Sequence, residues 1–142
     1  MRDNLKNYVN KLRSSNLRPT KQRLKICQFL FDREKTFHFT VEDLHNHFSS
    51  KDSKMNISLA TLYNTVHSFK NAGHLKEIHV NNERSYFDTN ASQHHHFFDE
   101  DSNKVIDINN DLINIEKFPK PPKGKFIKEI EVTIKLKDIQ KK

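Results

Sequence analysis

Three consecutive histidines, His94, His95 and His96, sit in the segment NASQHHHFFDEDSNKVIDI between carboxylates and apolar residues. If that segment is a strand, side chains alternate, so His94 and His96 share one face and His95 takes the other. Two imidazoles at i and i+2 can grip one ion. Asp88 ends the preceding apolar stretch and Asp107 lies on the following one, so both could bring a carboxylate to the same side. His38 stands upstream, just before a short helical segment. A solvated polar loop is the plainer reading of such a triplet. What the residues can do depends on the elements that hold them.

Leu5, Tyr8, Val9 and Leu12 recur at helical spacing and predict a first amphipathic helix. Pro19 biases Arg18 away from helix, and Thr20 can cap a second helix that turns Ile26, Cys27, Leu30 and Phe31 inward. Thr40 followed by Asp43 resembles a capping box for a third helix with Val41, Leu44 and Phe48 as its stripe. SSKDSKMN is a polar connection. A fourth helix fits SLATLYNTVHSFKNAG, with Leu59, Leu62, Val66 and Phe69 on one side. Thr61, Asn64, Ser68 and Asn71 lie opposite, and Gly73 is its C-terminal cap. LKEIHV, NNE and RSYFDT read as strand, turn and strand. Helices followed by a hairpin make a winged helix-turn-helix over residues 1–88.

Residues 89–142 read as a second, β-rich part. HHHFF and KVIDI are short strands. KFPKPPKG holds three of the four prolines and must be extended or turned. IEVTIKL alternates, placing Ile130, Val132, Ile134 and Leu136 on one half-buried face.

Composition narrows the function. The 142 residues include only two glycines, and no glycine-rich nucleotide loop is present. Cys27 is the sole cysteine, so neither an internal disulfide nor a four-cysteine zinc site can form. No apolar run suits a membrane span or a signal segment, so a cytoplasmic protein is expected. The net charge is +7, and all of it lies in residues 1–84, where 15 Lys/Arg face 8 Asp/Glu. A basic module followed by a neutral one points to nucleic acid as the partner of the first.

The fourth helix is the candidate reading head, with Tyr63 at the border of its polar face. Ser58, Thr61 and Tyr63 offer hydroxyls, and Asn64 can pair with adenine. Arg18, Lys21, Arg23 and Arg84 could clamp phosphates from the flanks. An enzyme built on the His/Asp cluster is the competing class. It lacks an evident oxyanion donor, a nucleophile arrangement and an open coordination position beside a substrate pocket. A DNA binder whose histidines are incidental is a third reading.

LRPTKQRLKI, FHFTVEDL, SLATLYNTVHSFKNAGHLKEI and YFDTNASQHHHFFDEDSNKVIDI occur in that order, and together they resemble the ferric uptake regulator (Fur) family. YFDT…HHHFF and PKPPKG look most like its iron response regulator (Irr) branch. The resemblance implies an α+β protein, a winged-helix domain followed by a small α/β dimerisation domain. It implies a homodimer that binds a pseudo-palindromic double-stranded operator, with Tyr63 and its helix neighbours meeting DNA.

Matched to the family's regulatory site, the metal candidates are His38, Asp88, His94, His96 and Asp107. Three imidazoles and two carboxylates suit iron, manganese or zinc in the divalent state. Held by both parts, an ion would fix the orientation in which two reading heads meet successive half-sites. The Irr resemblance implies haem sensing, with His94, His95 or His96 as the axial ligand. A metal or peroxide sensor without haem is the nearest alternative. The family's structural zinc is not expected. Asp99 and Ser102 replace its first cysteine pair, no second pair exists, and dimer stability must come from packing. No Cys-Pro haem motif is present, because Gln28 follows Cys27. Cys27 reads as a packing thiol, and Lys141-Lys142 as a frayed end.

Overall fold

In the computed structural model the described residues are 2–50, 55–81 and 83–140. The chain divides into two compact units, Met1–Ala91 and Ser92–Lys142.

The first unit holds α1 (Arg2–Ser14), α2 (Lys21–Phe31), β1 (His38–Phe39), α3 (Val41–Ser49), α4 (Leu59–Asn71), β2 (Lys76–Ile78) and β3 (Tyr86–Asp88). Local chemistry sets most of these boundaries. The Thr20 hydroxyl accepts from the Arg23 amide and starts α2. Thr40 and Asp43 form the reciprocal capping box that starts α3. Ser58 caps α4. At its other end Gly73 adopts φ +84°, the Gly73 amide donates to Lys70 and the His74 amide to Phe69. That bond pair is a Schellman motif, and its left-handed residue favours glycine.

The helices bury one core, with Leu12, Ile26, Cys27, Leu44, Leu62, Val66 and Phe69 fully enclosed. Ile57, which directly follows SSKDSKMN and belongs to no predicted element, joins them, whereas residues 51–54 of that connection lie outside the described residues. Two expected core residues are exposed, and Val9 is only half-buried. Leu5 is 51% exposed and Leu59 40% exposed. Each lies one turn beyond the packed part of its helix. On α4 the inward stripe is Leu62, Thr65, Val66 and Phe69, and the Thr65 hydroxyl is satisfied by the Thr61 carbonyl. Phe31 is only partly buried, with the Lys11 ammonium 4.5 Å over its ring.

β1, which the sequence did not predict, completes a three-stranded antiparallel sheet of order β1-β3-β2. Its two residues pair His38 with Asp88 and Phe39 with Phe87. The phenyl rings of that second pair stack at 5.7 Å. Phe37 and Thr89 extend the ladder, since the Thr89 amide donates to the Phe37 carbonyl and the Phe37 amide to the Thr89 hydroxyl. Between β2 and β3 the Asn81 carboxamide accepts the amides of Glu83 and Arg84. Asn82, part of the predicted turn, lies outside the described residues.

The second unit is a three-stranded sheet of order β5-β4-β6, from β4 (His95–Asp99), β5 (Lys104–Ile108) and β6 (Thr133–Leu136). β5 is antiparallel and β6 parallel to β4. Among the described residues its only helical element is a 3-10 turn at Asn110–Leu112. Asp99 receives the amides of Asp101 and Ser102 and so shapes the β4–β5 turn. Those bonds, with one from the Ser102 hydroxyl, lower its pKa. One row across the sheet is Ile106, Phe97 and Ile134. Its two isoleucines are 41% and 40% exposed, so the alternation read in IEVTIKL yields a face left partly open within the unit. Lys141 and Lys142 lie outside the described residues.

Candidate metal centre and nucleic-acid interface

Each unit presents a histidine opposite an aspartate across an antiparallel ladder. In the first, His38 Nε2 lies 3.1 Å from Asp88 Oδ2. Asp88 is wholly buried, and its other oxygen accepts the Asn90 amide at 2.8 Å. The neighbouring Phe39–Phe87 stack is what holds this register, because a slip of one residue would expose both rings.

In the second unit His96 is the ladder partner of Asp107. Asp107 Oδ1 lies 3.1 Å from His94 Nε2 and 3.2 Å from His96 Nε2. One ligand atom from each of the three residues lies within 4.8 Å of the others. His94 precedes β4, yet its side chain reaches the same face as His96, with ring centroids 4.4 Å apart. His95 takes the opposite face, buried, and its Nδ1 accepts the Val132 amide at 3.0 Å.

The hydrogen bond on the far side of His94 decides its chemistry. Nδ1 lies 2.7 Å from the Ser92 carbonyl. A carbonyl only accepts, so Nδ1 carries the proton, and neutral imidazole then directs the Nε2 lone pair at a carboxylate oxygen. Two acceptors facing each other at 3.1 Å call for a cation or a proton between them. Metal-binding histidines commonly donate their other ring N–H to a backbone carbonyl in this way. The spacing fits as well. With bonds of about 2.1 Å, neighbouring ligand atoms stand about 3.0 Å apart in an octahedron and about 3.4 Å in a tetrahedron. The donors, imidazole nitrogen and carboxylate oxygen, suit divalent iron, manganese or zinc.

The DNA-facing candidates all belong to the first unit. Ser58, Tyr63 and Asn64 are exposed on α4, and Thr61 is half-buried beside them. Two of the hydroxyls are occupied with starting the helix, since Ser58 donates to the Thr61 hydroxyl at 2.9 Å and accepts its amide. Asn64 and Arg23 line a polar concavity of about 540 Å³ with Ser68 and Asn71, which brings a cation beside the polar face of α4. Arg23 also donates to the Arg18 carbonyl at 3.1 Å. Lys21, in the first turn of α2, and Arg84, before β3, are exposed on other elements and do not line that concavity.

Three participants carried no sequence signal. The Ser92 carbonyl is a backbone group. Glu42 accepts the Tyr63 hydroxyl at 3.0 Å from 21 residues away. That bond, then burial and the Glu42 charge, raise the Tyr63 pKa. His74 Nε2 meets the Ser14 hydroxyl at 2.8 Å, across 60 residues. Cys27 is a packing residue, its thiol pushed up to about 12 by burial. Among the described residues no helix is long and apolar enough to cross a membrane.

The chain is 33% identical over 104 residues to the peroxide-responsive repressor PerR of Staphylococcus epidermidis, covering 73% of this chain and 67% of that one. The PerR of Staphylococcus aureus strain Mu50 is 31% identical over 110 residues, covering 78% and 72%. Among solved structures, the ferric uptake regulator of Pseudomonas aeruginosa with manganese aligns over 94% of this chain and 98% of that one, with TM-score 0.66 and 19% identity. The Vibrio cholerae ferric uptake regulator aligns over 92% and 98%, with TM-score 0.64 and 20% identity. These two establish the α+β winged-helix and dimerisation-domain architecture. The model of the ferric uptake regulator family matches residues 14–135. Members of that family are metal-responsive, dimeric, DNA-binding transcription regulators rather than enzymes. The chain belongs to the ferric uptake regulator family.

Proposed function

We propose that this protein is a cytoplasmic repressor whose affinity for a pseudo-palindromic operator is set by one divalent ion, held jointly by His38 and Asp88 of the first unit and His94, His96 and Asp107 of the second. The observation that carries this is the His94 ring, fixed by the Ser92 carbonyl so that its Nε2 faces the Asp107 carboxylate. Asp88 and His94 are six residues apart, so the chain keeps their backbones within roughly 20 Å of each other. An ion gripped by both units restricts how they are oriented. It changes DNA affinity only by binding the competent orientation more tightly than the other.

Two such chains are needed to read two half-sites. The open Ile106–Phe97–Ile134 row is the apolar surface that a second copy would cover. On the first unit, α4 enters the major groove with Thr61, Tyr63 and Asn64, Ser58 sits at its leading end, and Arg18, Lys21, Arg23 and Arg84 meet phosphates.

The experiment is a selection of duplexes from a random-sequence pool by the full-length protein with MnCl2, followed by affinity measurement with and without the metal. Tight binding only with Mn(II), lost when His94 and His96 are both replaced by alanine, is the expected result. Equal affinity in the two conditions rejects the reading. A peroxide response is the first extension, by likeness to the staphylococcal repressors. An Irr-like haem response is the second reading, resting on His95. Its Nδ1 accepts the Val132 amide, so the neutral ring carries its proton on Nε2, and an axial bond requires that proton to leave or the Val132 bond to break. A Soret band shift on haem titration that is absent from H95A tests it.

A further inference from the structure

The Tyr63 hydroxyl has one proton, and it is directed at Glu42 Oε1 at 3.0 Å. Glu42 lies in the first turn of α3, on a different helix from the tyrosine it engages. The other end of the phenol is held too. Its ring is nearly parallel to His67, one turn on, at 6.1 Å and 15°. His67 in turn meets the buried Phe87 edge-on at 6.1 Å. A tyrosine has two side-chain torsions, so contacts at both ends define where its ring stands. Tyr63 nonetheless remains 38% exposed, on the face of α4 that carries Asn64.

This arrangement has a chemical consequence at a polyanion. Donors to phosphate add affinity on every sequence, whereas contacts to base edges discriminate among sequences. A tyrosine free to swing would donate to whichever phosphate came near. Here the proton is committed to the Glu42 carboxylate. We propose that Glu42 is a specificity-setting positioning residue: it withdraws the Tyr63 hydroxyl from phosphate binding and presents the tyrosine to duplex DNA as a fixed ring. This rests on the reading that α4 meets DNA.

The test uses full-length wild type, E42A, E42Q, Y63F and the E42A/Y63F double variant. Each is measured with MnCl2 on a duplex selected by the wild type and on a scrambled duplex of the same composition, across a salt series. E42A should bind the scrambled duplex about fivefold more tightly, with a salt slope steeper by about one phosphate. Its preference for the selected duplex should fall by about fivefold or more. E42Q keeps an acceptor for the hydroxyl and should retain the preference within about twofold. In the Y63F background E42A should change the preference by less than about twofold, because the coupling runs through the hydroxyl.

An unchanged preference in E42A, or the same loss with and without the hydroxyl, overturns the proposal. Glu42 also favours the positive end of α3, so E42A carries a folding cost. The Tyr63 ring carbon signal in NMR gives a second measurement. It should titrate at lower pH in E42Q than in wild type, and coincident titrations overturn the proposal. A wild type that binds neither duplex removes the underlying reading together with this one. Wild-type binding with unaltered E42A behaviour removes this one alone.

Discussion

His96 and Asp107 face each other across the β4–β5 ladder, with Nε2 3.2 Å from Oδ1. His38 and Asp88 stand in the same relation across β1–β3, at 3.1 Å. Antiparallel pairing sets these side chains opposite one another without help from loops, so each unit holds its histidine and aspartate on paired strands.

Removing the Asp107 carboxylate tests the second half alone. D107N keeps the size of the side chain and loses its charge. It should weaken Mn(II) binding by on the order of 100-fold while leaving the circular dichroism spectrum unchanged. A Kd within a factor of two of wild type, by calorimetric titration, would show that the carboxylate is not a ligand.

The capping box carries a stability prediction. Thr40 follows β1 and caps α3, so T40A removes the hydroxyl that accepts the Asp43 amide at 3.1 Å. The cost is roughly 1 kcal/mol, which lowers Tm by about 4–8 °C for a unit of this size. G73A should cost a similar amount, about 1–2 kcal/mol. An added Cβ there meets nothing within 4 Å, so the loss is backbone strain at φ +84° and not a clash. Thermal unfolding measures both.

His74 predicts the pH dependence. Burial, then the Lys11 charge, lower its pKa below the ordinary 6.5. Below pH 6.5 the unfolded chain takes up a proton that the folded one refuses, so stability falls as pH drops from 6.5 to the folded pKa and is flat below it. H74N should flatten the Tm profile as pH falls below the ordinary histidine value of 6.5. A profile that stays parallel to wild type would exclude this histidine as a contributor.

Cys27 should react slowly with iodoacetamide. A thiol pushed up to about 12 is almost wholly protonated at neutral pH, and the side chain is enclosed. Modification should speed up only on unfolding, and rapid labelling of native protein would contradict that.

The features legible in the sequence are those written in adjacent residues. Thr20, Thr40 with Asp43, and Gly73 act on amides and carbonyls a few positions away, so their types and spacing suffice. Alternation alone places His94 and His96 on one face and His95 on the other. What escaped the sequence depends on partners distant in the chain. β1 is two residues long and exists because β3, some 50 residues later, supplies its ladder. Leu5 and Leu59 match a helical stripe, yet where that stripe stops being covered is decided by the neighbouring helices. Glu42 gave no sign that it would hold Tyr63.

The central claim is that one ion draws on both units, and calorimetric titration of Mn(II) into wild type, H38A and H96A tests it most directly. One high-affinity Mn(II) per chain in the wild type, lost to a similar degree in each variant, is the predicted result. High-affinity binding that survives H38A unchanged while vanishing in H96A would contradict it.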